Sequence, residues 1–229
     1  MRNFSADHRW LSMNTATVRK QGDLLAIIDA CARHGIRAIS PWRDQVAHVG
    51  LDAAVKAVKA NGMALSGYCR GGMFPHGKPF AREMADDNRR AVDEAKAFDA
   101  ACLVLVVGGL PQYSRLGSAP SKDIAAARSQ VRDGLAELFD YASEVGMKLA
   151  IEPLHPMYAA DRACVNTLRH ALDLCDEIDP AKTGDIGVAV DMYHVWWDPE
   201  LMAQIRRAGK ARLHAFHVCD WLVPTTHLL

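Results

Sequence analysis

Short apolar runs alternate strictly with stretches of helical periodicity, and this pattern constrains the chain more than any other feature. The runs begin near residues 9, 36, 63, 102, 148, 187 and 213. They lie roughly 26 to 46 residues apart, enough for a crossover helix between each pair of parallel strands. Between them, Leu24, Leu25, Ile27, Ile28 and Cys31 mark one helix face, and Leu51, Ala54, Val55 and Val58 the next. Glu83 to Phe98 reads as a longer polar helix, and Ser121 as the cap of a helix that buries Val131, Leu135, Leu138, Phe139 and Ala142. A further helix runs around Val165 to Ile178, and Asp198-Pro199-Glu200 opens the last. Gly35, Gly62 and Gly146 stop the helices ahead of Ile36–Ser40, Met63–Tyr68 and Lys148–Glu152.

Strict alternation within one domain implies a parallel sheet with helical crossovers. No Gly-rich dinucleotide fingerprint follows any strand, which favours a (β/α)8 barrel over a doubly wound sheet. The expectation is one α/β domain over residues 1–229, a barrel apparently lacking its eighth strand and truncated at the C-terminus. Such barrels typically need ~250 residues. Unpaired edges on the first and seventh strands, covered by a partner chain, follow from that expectation.

The 27 basic and 27 acidic side chains balance. Nucleic acid and anionic membranes select a basic excess, so neither is expected as a partner. The six cysteines form no C-x-x-C pair and no disulfide framework. Residues 1–8 lack the apolar stretch of a signal peptide, and the longest apolar run, Ala101–Val107, is too short for a bilayer. A cytoplasmic location is the expectation.

Three successive strands end alike: Ala150-Ile151-Glu152, Ala189-Val190-Asp191 and Ala215-Phe216-His217. Strand side chains alternate, so each polar residue shares a face with the Ala two positions earlier. Barrel chemistry sits at the C-terminal strand ends. If this face points inward, Glu152, Asp191 and His217 converge on one ion. Two carboxylates and an imidazole suit Mn2+, with Mg2+ or Co2+ as alternatives, better than a thiolate-seeking metal.

Ile151-Glu152-Pro153-Leu154-His155-Pro156, Val190-Asp191-Met192-Tyr193-His194 and His217-Val218-Cys219-Asp220-Trp221 resemble the xylose isomerase-like TIM-barrel superfamily. Within it the chain is similar to the sugar phosphate isomerase/epimerase group, which includes ketose 3-epimerases and inosose dehydratases. The resemblance implies that Glu152, Asp191 and His217 bind one divalent metal and that His194 contacts substrate. The fourth ligand of the family, a Glu on strand eight, has no counterpart here. Trinuclear-zinc AP endonucleases need further histidines on early strands. This chain has Gly67-Tyr68-Cys69 and Val107-Gly108-Gly109 in those neighbourhoods, so one metal is expected.

The reaction this points to is isomerisation or epimerisation of a sugar or sugar-like polyol. A divalent ion stabilises an enediolate oxygen, and Glu152 removes the adjacent proton. Alternatives are an inosose-type dehydratase and a catalytically incomplete binding protein. Arg43 and Arg70 follow the second and third strands, and either can hold substrate oxygens or close a salt bridge at the barrel top. His155 is a substrate contact or a loop histidine bonded to backbone. Trp196-Trp197 wall a sugar pocket or pack between helices. The connection Gly108–Pro120 is long for its place and is read as a lid, a subunit contact of a homo-oligomer, or a surface excursion.

Overall fold

A computed structural model describes residues 8–75, 80–111, 121–220 and 224. The chain runs β1 (Ser12–Asn14), α1 (Leu24–Arg33), β2 (Ala38–Ser40), α2 (Arg43–Val49), α3 (Leu51–Ala60), β3 (Ala64–Leu65), β4 (Tyr68–Gly71), α4 (Ala81–Ala97) and β5 (Leu103–Leu105). It continues as α5 (Ile124–Val145), β6 (Leu149–Ile151), α6 (Leu168–Ile178), β7 (Ile186–Asp191), α7 (Met192–Val195), α8 (Leu201–Arg212) and β8 (Leu213–His217). Every strand pairs in parallel with its sequence neighbour, in the orders β1-β2-β3 and β4-β5-β6-β7-β8.

β3 and β4 are two pieces of one barrel strand, interrupted at Ser66-Gly67. The Cys69 amide bonds the Pro41 carbonyl at 2.9 Å, and Trp42 bridges Cys69, so the two sheets continue into each other. The result is a TIM-type barrel of seven parallel strands with helices outside. Among the described residues no eighth strand joins β8 to β1.

The strands bury two surfaces. Outward, Ile39, Leu103, Leu105, Leu149, Ile151, Val188 and Val190 pack with the helix faces in one large core. Inward, Cys69, Cys102, Val104, Ala150, Ala189 and Ala215 form a separate small cluster capped by Trp42. That division is the period-two alternation of each strand expressed as two cores. The three alanines beneath the polar strand ends therefore do face the barrel interior.

Helix ends follow local chemistry. Asp23, Asp123 and Thr167 each accept a hydrogen bond from the backbone N–H three residues on, capping α1, α5 and α6. The cap of α5 is thus Asp123. Ser121, expected in that role, instead accepts from the Asp123 amide. The Asp198 carboxylate accepts from the Glu200 amide, but regular helix begins only at Leu201. No helix among the described residues is long and apolar enough to cross a membrane.

Candidate metal centre

β6, β7 and β8 place the central residues. Their registers set Ala150 beside Gly187, Ala189 beside Ala215 and Asp191 beside His217. Glu152 follows β6 directly, its amide bonded to the Leu105 carbonyl at 3.0 Å. One ligand atom from each of Glu152, Asp191 and His217 lies within 4.8 Å of the others. His217 Nδ1 stands 2.9 Å from Glu152 Oε1 and 3.9 Å from Asp191 Oδ2.

The electrostatics are those of anions crowded together. Burial and the Glu152 charge hold the Asp191 carboxyl above its ordinary range. Burial opposes charge on His217, yet its hydrogen bond to Glu152 and the two carboxylates prevail and raise its pKa. A divalent cation would relieve this crowding, and the hard oxygen and nitrogen donors fit one. Cys69 and Cys102 lie in the layer below. Burial first, then Glu152, pushes the Cys102 thiol up to about 12 and the Cys69 thiol higher, so neither competes as a thiolate.

His194 lines the same cleft, reached through the one-turn helix α7, whose N-cap is Asp191 itself. Its Nδ1 accepts from the His155 amide at 3.3 Å, which leaves its proton on Nε2. The ring meets Tyr158 and Tyr193 edge-on, at centroid distances of 5.8 and 5.0 Å. Burial lowers its pKa to about 4 against the pull of Asp191, so His194 is neutral near pH 7. His155 turns its own Nδ1 to the Met157 amide and its ring edge to Trp197, 5.9 Å away. It is the loop histidine bonded to backbone. Trp197 donates Nε1–H to the His194 carbonyl at 2.9 Å, and Trp196 is exposed.

Arg43 does not join the group. Trp42, in phase with Ser40, takes the inward position, and Arg43 opens α2 on the outside of the barrel. Its guanidinium is spent on Asp87 and Glu94 of α4, with four N···O distances of 2.8–3.1 Å. Tyr68 donates to the same Glu94 at 2.9 Å. This is the salt bridge that the reading of Arg43 as a substrate contact had as its alternative. The Arg70 side chain and residues 112–120 lie outside the described set. The cleft walls also include Asn14, Trp42 and Arg162, none of which the sequence reading nominated.

This is a TIM-type barrel with a two-carboxylate, one-imidazole cluster at the C-terminal ends of its strands. The family described as xylose isomerase-like TIM barrel matches residues 28–228, and the chain belongs to it. The crystal structure of protein SMc04130 from Sinorhizobium meliloti 1021 is 53% identical with a TM-score of 0.88, covering 97% of this chain and 78% of that one. Two more distant structures share the fold. IolI protein with a bound zinc atom is 17% identical, with a TM-score of 0.75 and coverage of 95% and 75%. The 3-keto-D-glucoside 4-epimerase YcjR from E. coli is 18% identical, with a TM-score of 0.68 and coverage of 86% and 74%. No curated protein matches significantly.

Proposed function

We propose that this protein is a divalent-metal-dependent isomerase or epimerase of a sugar or sugar-like polyol, working by proton transfer at a carbon beside a carbonyl. The observation that carries this reading is the convergence of Glu152, Asp191 and His217 above a floor of alanines at three consecutive strand ends. The zinc in IolI and the epimerase activity named for YcjR support it from outside the chain. Glu152, Asp191 and His217 would hold the ion, and Mn2+ is the first choice for a site of two hard carboxylates and an imidazole. The ion would supply Lewis acidity that makes the C–H beside a substrate carbonyl more acidic.

The side chains supply the rest. Glu152 takes the proton on a carboxylate oxygen and returns it to the neighbouring carbon for an aldose–ketose isomer; an epimer needs the proton delivered to the opposite face of the same carbon by a second acid. His194, neutral with its proton on Nε2, donates to a substrate oxygen. The backbone bond from His155 fixes that tautomer and ring plane. Trp42 gives an apolar wall whose indole is fixed by a 2.8 Å bond to Asn14 Oδ1.

The test is turnover of a panel of ketoses and aldoses with added Mn2+, followed by NMR in D2O to locate the exchanged carbon. Glu152→Gln is expected to lower turnover by about a hundredfold or more, within the range for a lost acid–base group, while the fold is kept. Asp191→Ala is expected to lower metal content measured by elemental analysis. Equal metal occupancy and equal turnover in both variants would refute the proposal.

A further inference from the structure

We infer that Arg162 selects a substrate carrying an anionic group, carboxylate or phosphate, besides the oxygens it presents to Glu152, Asp191 and His217. This deepens the function proposed above and rests on it.

Arg162 lines the cleft with those three residues and His194, and among the described lining residues it is the one permanent cation. Glu152 and Asp191 together balance a divalent ion, and His194 is neutral near pH 7. Among the described lining residues Arg162 is therefore the cation left over once an ion is held. A neutral sugar leaves that charge facing only Asp161, 3.6 Å from Nε, whereas an anionic substituent accepts from the forked guanidinium.

The side chain sits on a built platform. Its guanidinium carbon lies 4.6 Å over the Tyr158 ring, which is buried and meets the His194 ring edge-on. The loop beneath is fixed by backbone bonds: Arg162 and Ala163 N–H to the Tyr158 carbonyl, Leu110 N–H to Ala160, and Cys164 N–H to Gly108, at 2.8–3.0 Å. Gly109 permits this seat, because a Cβ there would come within 2.4 Å of the Ala160 carbonyl oxygen. The sequence neighbour Asp161 approaches Arg162 Nε only to 3.6 Å, and both side chains are substantially exposed. Arg43 is the contrast, held by two carboxylates through both edges of its fork. Arg162 is placed and oriented but not consumed.

The experiment is calorimetric titration of the Mn2+-loaded protein with sugars differing only at one terminal group. Suitable sets are D-fructose, D-fructuronate and D-fructose 6-phosphate, and L-sorbose with 5-keto-D-gluconate. The expectation is that one anionic member binds about tenfold or more tightly than its neutral partner, as a charge-assisted hydrogen bond allows. The carboxylate and phosphate arms tell the two anions apart. Arg162→Met should bring the members of that set within about twofold of each other, and Arg162→Lys should keep part of the preference. An unchanged melting temperature in Arg162→Met would show that the fold is intact. No anion preference in the wild-type protein, or a preference that survives Arg162→Met, overturns the inference. Metal content and turnover of the neutral sugars are read in parallel. Their absence alongside an Arg162-dependent preference overturns the isomerase reading and leaves this inference standing.

Discussion

Asp179 and Arg212 show how much stability can rest on one pair far from the chemistry. Arg212 Nη1 lies 2.7 Å from Asp179 Oδ2 and also bonds the Ile186 carbonyl, while Asp179 accepts from Thr183 and Gly184. Burial opposes the Asp179 charge, but these donors outweigh it and hold its pKa below the ordinary carboxylate value. A depressed carboxylate contributes stability above its unfolded pKa, near 4, and loses it as pH falls through the folded value. Asp179→Ala removes the nearer carboxylate from a buried guanidinium, leaving Asp176 Oδ1 at 3.5 Å, and is expected to cost about 3 kcal/mol in denaturant unfolding, the lower end for breaking a buried pair, with a flatter dependence below pH 4. His214 acts one step higher. Burial lowers its pKa to about 4, so the folded state binds this proton less readily than the unfolded chain. Stability present above pH ~6.5 is lost between there and pH ~4, and His214→Leu is expected to reduce that slope. Residues on strands were legible beforehand, because alternation ties Glu152, Asp191 and His217 to the alanines below. Arg162 was not, because a loop position carries no period, and neither was Asn14, because β1 is three residues long and too short to display one. Arg43 misled because it adjoins Trp42, and one residue of phase separates the inside of the barrel from the outside.

Among the elements, the seven barrel strands stand near the expected starts; β5 and β6 are apolar throughout because both faces are buried, whereas β1 and β8 are mixed and partly exposed. Helix α2 escaped notice. It has seven residues, begins straight after a strand end, and its N-cap, Trp42, makes no side-chain capping bond. The true caps of α5 and α6, Asp123 and Thr167, are each expected to contribute about 1 kcal/mol, read as the shift in denaturant midpoint of the alanine variants. The β7–β8 pair is tighter than its neighbours can relieve. A Cβ on Gly187 would lie 2.2 Å from the Arg212 carbonyl oxygen and 2.6 Å from His214 Nε2. Gly187→Ala is therefore expected to destabilise by about 2–3 kcal/mol or more, at the upper end of single substitutions, by parting the strands that bear Asp191 and His217. Metal affinity should fall with it.

For the molecule as a whole, the two sheets, the interior layer and the candidate ion form one system. An ion bound only by the folded state stabilises it by about 2.7 kcal/mol at a hundred times its dissociation constant. For a domain of this size that is roughly a 5–10 °C rise in melting temperature. Mn2+ should produce such a rise, EDTA should reverse it, and Asp191→Ala should abolish it.

β8 has a consequence of its own. Among the described residues it pairs only with β7, and Phe216 and Val218 beside its end are 56% and 70% exposed. Yet it supplies His217, the single imidazole of the cluster. Because His217 rides on β8, parting of that strand from β7 and escape of the ion are the same event. The amide protons of Leu213–His217 then become a clock for the site. Their exchange with solvent should slow in proportion to metal occupancy, and the rate at which β8 lifts away sets a floor on how long an ion is retained.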